Sequence, residues 1–376
     1  MIVTAAVARQ PHAPFSIAQI ELDPPREDEV LVRIVGVGVC HTDLIARDQF
    51  IPIRLPAVLG HEGAGIVEQV GSKVTKVAPG DRVVLSFNSC AACPRCREGQ
   101  PAYCQSFPSL NYTGARADGA PAMHEGGEPV SSNFFGQSSF ASYALAYERN
   151  VVKVGPDAPL EILGPLGCGI QTGAGGVMRS LAAKAGSSIA IFGGGAVGLS
   201  AVLGAVVQGC GQIIVVEPHA ARRALAIELG ATHALDPSQG DLPARIREIA
   251  PAGVDYAFES TGLESVIAAA LQSLGSHGVL GLVGVPPRPD SEGRYNIAGL
   301  ITFGHTIKGI IEGDSDPDSF IPELLDLHAA GRFPFDRLVT TWPFDQINAA
   351  LEAQHRGECV KVVLLTGDSP PGANAA

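Results

Sequence analysis

The stretch that most limits what this chain can become runs from Ile189 to Glu217. Ile189-Ala190-Ile191-Phe192 reads as a buried strand, and Gly193-Gly194-Gly195-Ala196-Val197-Gly198 fits G-x-G-x-x-G. An apolar helix follows to about Gln208, then a second strand, Ile213 to Val216, ending at Glu217. A glycine motif alone is weak. Between a strand and a helix, with an acid about 20 residues further on, it specifies a parallel sheet that receives a dinucleotide at the turn. Gly193, Gly195 and Gly198 let backbone N–H groups reach a pyrophosphate at the helix N-terminus. Glu217 can accept hydrogen bonds from ribose hydroxyls. A carboxylate there would repel the extra phosphate of NADP, so NAD is expected.

Residues 185–216 carry no charge, which could suggest a membrane span. Glycines 193–195, 209 and 211 interrupt the run, so it reads as strand, helix and strand. Further strands are expected at 254–258, 278–284 and 306–311, alternating with helices near 219–229, 262–274 and 317–330. A helix near 345–356 and a strand at 360–365 close the chain. This alternation implies a parallel sheet. Residues 1–85 read instead as short strands with turns, among them 30–34 and 83–85. Residues 105–139 read as a long irregular loop, and residues 367–376 as a fraying tail.

The chain has 376 residues, which suggests about two domains. Its formal charge of −12 argues against nucleic acid, which needs a basic face. The apolar N-terminus is short and lacks a basic leader. A cytoplasmic protein with no membrane or nucleic-acid partner is expected.

Cysteine placement carries the chemistry. Cys90, Cys93, Cys96 and Cys104 form C-x2-C-x2-C-x7-C, a spacing that can bring four thiolates to one zinc. Four protein ligands leave no open position, so that site is expected to be structural. A nucleic-acid zinc ribbon is the rival reading, and the acidic balance opposes it. Cys40-His41-Thr42-Asp43 gathers a thiol, an imidazole, a hydroxyl and a carboxylate. In an extended segment Thr42 would share a face with Cys40. Gly60-His61-Glu62-Gly63 and Gly167-Cys168-Gly169 each set one metal-binding residue among glycines. Cys40, His61 and Cys168 together would leave a fourth position for water or substrate, the catalytic pattern. Asp43 can fix an imidazole ligand from behind. Phe135 and Phe140 are candidates to line an apolar substrate pocket, with plain core packing the equal alternative.

With these motifs in hand, the chain resembles the zinc-dependent medium-chain alcohol dehydrogenases over nearly its whole length. Within them it is most similar to bacterial aryl-alcohol (benzyl alcohol) and geraniol-type enzymes. The closer likeness is carried by Cys40 through Leu44, Phe134 through Phe140, Gly164 through Gly176 and Phe333 through Leu338. The resemblance implies an α/β protein with two parts. Residues 1–168 and 310–376 would form a β-rich, GroES-like, zinc-binding catalytic domain. Residues 169–309 would form a doubly wound, parallel-sheet (Rossmann) NAD-binding domain.

It further implies a catalytic zinc on Cys40, His61 and Cys168, with Glu62 as a nearby carboxylate that visits it, and a second, structural zinc. Thr42 would take the alcohol proton, and Asp43 would orient the histidine ligand. His41 and Lys361 would contact the pyrophosphate, Thr172 and Val197 the nicotinamide, and Arg222 the adenosine ribose. A homodimer or homotetramer is implied too. One departure stands out: many relatives carry a histidine a few residues after the hydroxyl, where this chain has Ile45.

The expected activity is NAD-dependent oxidation of primary aromatic or allylic alcohols to aldehydes. One rival is a dehydrogenase of hydroxymethyl-thiol adducts, the formaldehyde-clearing branch of the same family. The other is a non-catalytic nucleotide-binding relative, which leaves the Cys40/His61/Cys168 set without a purpose.

Overall fold

A computed structural model describes residues 1–367. The fraying expected for 367–376 falls, apart from Gly367, outside them. The chain divides into two compact units, one of Met1–Cys168, Asp316–Pro322 and Val339–Ala376, the other of Gly169–Ser315 and Glu323–Leu338.

The first unit is β-rich. Its central strand, Glu29–Gly38, is a Val/Leu/Ile run buried along most of its length. It pairs antiparallel with Gly63–Val70, with Tyr143–Tyr147 and with the last strand, Lys361–Leu365. That last pairing sets Val363 opposite Gly38 and carries Lys361 to the end of the central strand. A second, five-stranded sheet is built around Ile2–Ala8 and Ser16–Leu22.

The stretch 105–139 is not the irregular loop expected. It holds a helix, Phe107–Asn111, a hairpin of Met123–Glu125 with Glu128–Val130, and a short turn of helix at Phe134–Gly136. Arg116 anchors it. The residue is 4% exposed. Its Nε and Nη2 donate to the two oxygens of buried Glu29 at 2.7 and 3.0 Å, and Nη1 donates to Asp23 at 2.7 Å.

The second unit holds a six-stranded sheet, parallel throughout. Its strands, counted along the chain, lie in the order 3-2-1-4-5-6. The order reverses beside Ser188–Phe192, the strand that precedes the glycine motif, and such a switch point is where this architecture takes ligands. Ala190, Phe192, Ile214, Ala257 and Leu280 form its core. The helix Ala196–Gln208 is buried nearly all round, as its uncharged sequence requires.

Two elements escape the sequence pattern, the strand His233–Leu235 and the helix Leu242–Ile249. The helix had a signal: Asp241 caps it, accepting from the Ala244 N–H, and Pro243 sits in its first turn. The chain rejoins the first unit at Asp316, later than the residue 310 expected, and residues 323–338 group with the second unit. Ile310 continues the sheet's hydrogen bonding to Leu282, which holds this stretch in the second unit. Arg337 and Arg179 form ion pairs there with Glu228 and Glu323. Among the described residues no helix is long and apolar enough to cross a membrane.

Candidate active site

The central strand of the first unit runs straight into a helix, His41–Arg47, with Cys40 as its N-cap residue. The extended Cys40–Asp43 segment expected from sequence is therefore a strand-to-helix turn. The turn, not strand alternation, brings the Thr42 hydroxyl to 3.7 Å from Cys40 Sγ. His41, first in the helix, is exposed and Thr42 is half-buried.

Asp43 ties the turn to the loop that carries His61. Its Oδ2 accepts from the Cys40 N–H at 3.0 Å. Its Oδ1 accepts from the Gly60 N–H at 3.0 Å and lies 2.8 Å from His61 Nδ1. One buried carboxylate thus positions two residues that are far apart in the chain.

The structure brings the expected metal-binding residues together. One ligand atom each from Cys40, His61, Glu62 and Cys168 lie within 4.8 Å of one another. With Nδ1 committed to Asp43, the remaining ring nitrogen of His61, Nε2, is buried and has no hydrogen-bond partner. A buried polar atom without a partner is costly, and a cation held on two thiolates and an imidazole would satisfy it. Two sulfurs and one nitrogen suit zinc.

The electrostatics agree. The hydrogen bond from Cys168 holds the Cys40 thiol well below its ordinary pKa, against the opposing effect of burial. Burial alone would lower His61, but the Asp43 carboxylate outweighs it and the imidazole stands well above its usual value. Burial raises Glu62, and the Lys361 ammonium partly offsets that.

Lys361 lies buried at the end of the central strand. It is 2% exposed. Its Nζ donates to Glu62 Oε1 at 2.7 Å and to the Val39 carbonyl at 2.9 Å. Lys361, expected at the pyrophosphate, forms a buried ion pair with Glu62 because its strand docks beside Gly38. Gly38 leaves the room: a Cβ there would meet Glu62 Oε2 at 1.9 Å.

Cys90, Cys93, Cys96 and Cys104 form a second cluster, with sulfurs within 4.8 Å of one another. The helix Pro94–Arg97 starts at Cys93, and a tight turn, Pro101–Tyr103, ends at Cys104. Backbone N–H groups of Cys93 and Cys90 point at Cys90 Sγ and Cys104 Sγ, at 3.3 Å each. Hydrogen bonds from the Gln105 and Cys96 backbones draw Cys93 down to about 6, while burial and the neighbouring thiols push Cys96 up to about 12. Thiols this crowded resist ionising together, and a divalent cation would relieve them.

In the second unit the three motif glycines play three parts. Gly193 turns with φ 101°, and a Cβ on Gly198 would meet the Gly193 carbonyl at 1.8 Å. A Cβ on Gly195 would enter open space, so its backbone is free to be approached. These are the three tasks that a dinucleotide turn sets its glycines.

Glu217 is 3% exposed. Its two oxygens accept from the Gly194 and His219 N–H groups at 2.7 and 2.8 Å. Arg223, which sequence reasoning passed over, donates to the Glu217 and Pro218 carbonyls at 2.7 and 2.6 Å and pairs with Asp236. Arg222, the residue expected near the ribose, is half-buried on the same helix. Val197 is half-buried at the start of the motif helix. Thr172 is buried, its hydroxyl 3.5 Å from Glu312, an acid with no sequence signal.

Phe135 and Phe140, the candidates for an apolar pocket, are both buried against other rings. Phe135 stacks on the His61 ring, and Phe140 meets Phe15 edge-on. Gln137, within the stretch Phe134 through Phe140, is buried beside His61. Its Nε2 donates to the His61 and Ser86 carbonyls, and its Oε1 accepts from the Gly63 N–H.

Residues 26–156 match the alcohol dehydrogenase GroES-like domain, and residues 196–330 match the zinc-binding dehydrogenase family. A geraniol dehydrogenase of Castellaniella defragrans is 53% identical over 363 residues, 96% of this chain and 97% of that protein. A zinc-binding-domain alcohol dehydrogenase protein from Burkholderia ambifaria is 54% identical with a TM-score of 0.95, covering 98% of this chain and 99% of the other. The benzyl alcohol dehydrogenase of Acinetobacter calcoaceticus also superposes with a TM-score of 0.95, at 44% identity, covering 98% of this chain and 100% of the other.

Proposed function

The chain belongs to the zinc-binding alcohol dehydrogenase family and is an oxidoreductase, and from that premise we propose that it oxidises primary aromatic or allylic alcohols to aldehydes with NAD. The observation that carries the reading is the buried, partnerless His61 Nε2 beside Cys40 and Cys168. The relatives named for geraniol and benzyl alcohol support the substrate class.

Cys40, His61 and Cys168 would hold a catalytic zinc, with Glu62 close by, and the four clustered cysteines a structural one. A zinc ion so held would supply Lewis acidity, the effect that lowers the pKa of bound water to about 7, and a nicotinamide would supply the hydride acceptor. Thr42, half-buried beside Cys40, accepts the alcohol proton. Ile45 cannot pass that proton on, so it leaves by way of the ribose hydroxyls and water or through another base. Asp43 keeps the His61 proton on Nδ1 and so reserves Nε2 for the metal. Glu217 accepts from the ribose hydroxyls and disfavours a 2′-phosphate. His41, exposed at the helix start, Arg222, Val197 and Thr172 complete the coenzyme contacts.

We further propose a homo-oligomer. Among the described residues, Thr306–Gly309 ends its sheet with one edge unpaired. The helix just before it exposes Ile297, Ile301 and Phe303 at 66%, 75% and 50%, a patch that suits a second copy. Sedimentation of the purified protein tests this, and a monomer would refute it. We place the protein in the cytoplasm, where its unbridged cysteines stay reduced.

A substrate panel tests the activity. Benzyl alcohol or geraniol with NAD should give NADH, and NADP should serve poorly. No turnover on any aryl, allylic or aliphatic alcohol would refute the proposal. A rate seen only with formaldehyde plus glutathione or mycothiol would move it to the thiol-adduct branch.

A further inference from the structure

The segment 133–138 has a backbone that its side chains do not favour. Asn133, Phe135 and Ser138 are all left-handed, with φ of 56°, 53° and 58°. Asparagine tolerates that region, and a bulky phenylalanine rarely enters it. Such a conformation persists only where its surroundings hold it, and it gathers at functional sites.

The surroundings here do hold it. The Ser138 hydroxyl accepts from the Phe134 N–H at 3.0 Å and donates to the Val58 carbonyl at 2.6 Å. Asn150 Nδ2 donates to the Phe135 and Gly136 carbonyls at 3.2 Å each. Gln137 bridges the His61 carbonyl and the Gly63 N–H at 2.9 and 3.1 Å, fixing the loop on both sides of Glu62.

The conformation lays Phe135 flat on the His61 imidazole. The ring centroids are 4.4 Å apart and the planes differ by 23°. Phe134 meets the same imidazole edge-on at 5.6 Å and 88°. Tyr112 backs Phe135 at 5.5 Å.

The bond from Nδ1 to Asp43 fixes one end of the imidazole. It leaves the ring free to tilt about an axis through that bond. A metal ligand must hold its lone pair on line to within about 10–20°, and tilt is the coordinate that a stacked face and a perpendicular edge control. We propose that Phe135 is a positioning residue for the metal site, whose ring sets the plane of His61 and so the direction of Nε2. This rests on the reading of Cys40, His61 and Cys168 as metal ligands.

The test uses the metal-loaded protein and its Phe135→Leu variant, with Phe15→Leu as a packing control whose ring meets Phe140 instead. Metal release to a chelator is followed as two phases, one per cluster, and cobalt(II) spectra are recorded after exchange. In Phe135→Leu, release from the Cys40/His61/Cys168 cluster should be roughly tenfold faster, and the cobalt bands of that cluster should shift. Phe15→Leu should lower the melting temperature yet keep the parental release rate and bands.

Parental release and parental bands in a folded Phe135→Leu would overturn the proposal. If that variant does not fold, Tyr112→Leu, which withdraws the ring behind Phe135, should shift the same bands in the same sense, and unshifted bands would overturn it. A parent protein that holds no metal on Cys40, His61 and Cys168 would be a separate failure, of the site itself.

Discussion

Asp43 Oδ1 and His61 Nδ1 lie 2.8 Å apart, with both side chains wholly shielded from solvent. The contact selects which imidazole nitrogen is left for a metal. The same carboxylate also receives the Cys40 and Gly60 N–H groups. Asp43→Asn keeps the shape and removes the charge, so zinc affinity at the Cys40 cluster should fall roughly 10–100-fold. Asp43→Ala should also strand buried donors, at about 1–3 kcal/mol each. Zinc content after dialysis against a chelator reads the first effect, and thermal unfolding reads the second.

Glu217 sits where a ribose-binding acid belongs, and it also holds the Gly194 and His219 N–H groups. Replacing it with Ser should therefore do two things. The ratio of kcat/KM for NAD over NADP should fall, because the repulsive charge is gone. Stability should drop by about 1–3 kcal/mol, because the buried Gly194 N–H loses its acceptor. An unchanged coenzyme ratio would mean that the ribose contact is misassigned.

Cys93 belongs to the cluster with four protein ligands. Cys93→Ser should lower the melting temperature and weaken metal binding at that cluster, while folded protein loaded at Cys40, His61 and Cys168 keeps the chemical step. Pre-steady-state kinetics separate the two. A stable, fully metal-loaded variant with no hydride transfer would contradict the structural assignment.

Arg116 predicts stability away from any site. Removing the guanidinium as Arg116→Met leaves Glu29 buried without its partner, which should cost about 3–5 kcal/mol. The pair Arg116→Met with Glu29→Gln should recover part of that loss. Denaturant unfolding of the single and double variants measures it, and a near-neutral single variant would contradict the anchoring role.

Much of this was legible in the chain itself. The inner strands Ser188–Phe192 and Gln212–Val216 are buried apolar runs, and such runs announce themselves. The helix Leu242–Ile249 was missed because Pro, Gly and Ser precede it, although its cap and its proline were readable. The site was legible as chemistry, in Cys40, His61 and Cys168, but not as geometry. Cys40 and Thr42 approach through a helix turn that the residue order does not distinguish from a strand end. Lys361 and Glu62 are 299 residues apart, and only the docking of Lys361–Leu365 against Gly36–Gly38 decides that they pair. The role of Gln137 was hidden for a similar reason: a side-chain amide bonding to remote backbone leaves no periodicity to read.

The central claim is tested most directly by counting zinc in the parent protein and in Cys168→Ser while following alcohol-dependent NADH formation. The parent should hold two zinc ions per chain, one per cluster. The variant should hold one, stay folded and lose turnover. A variant that keeps its second zinc and its activity, or an active parent with metal only on Cys90, Cys93, Cys96 and Cys104, would contradict it.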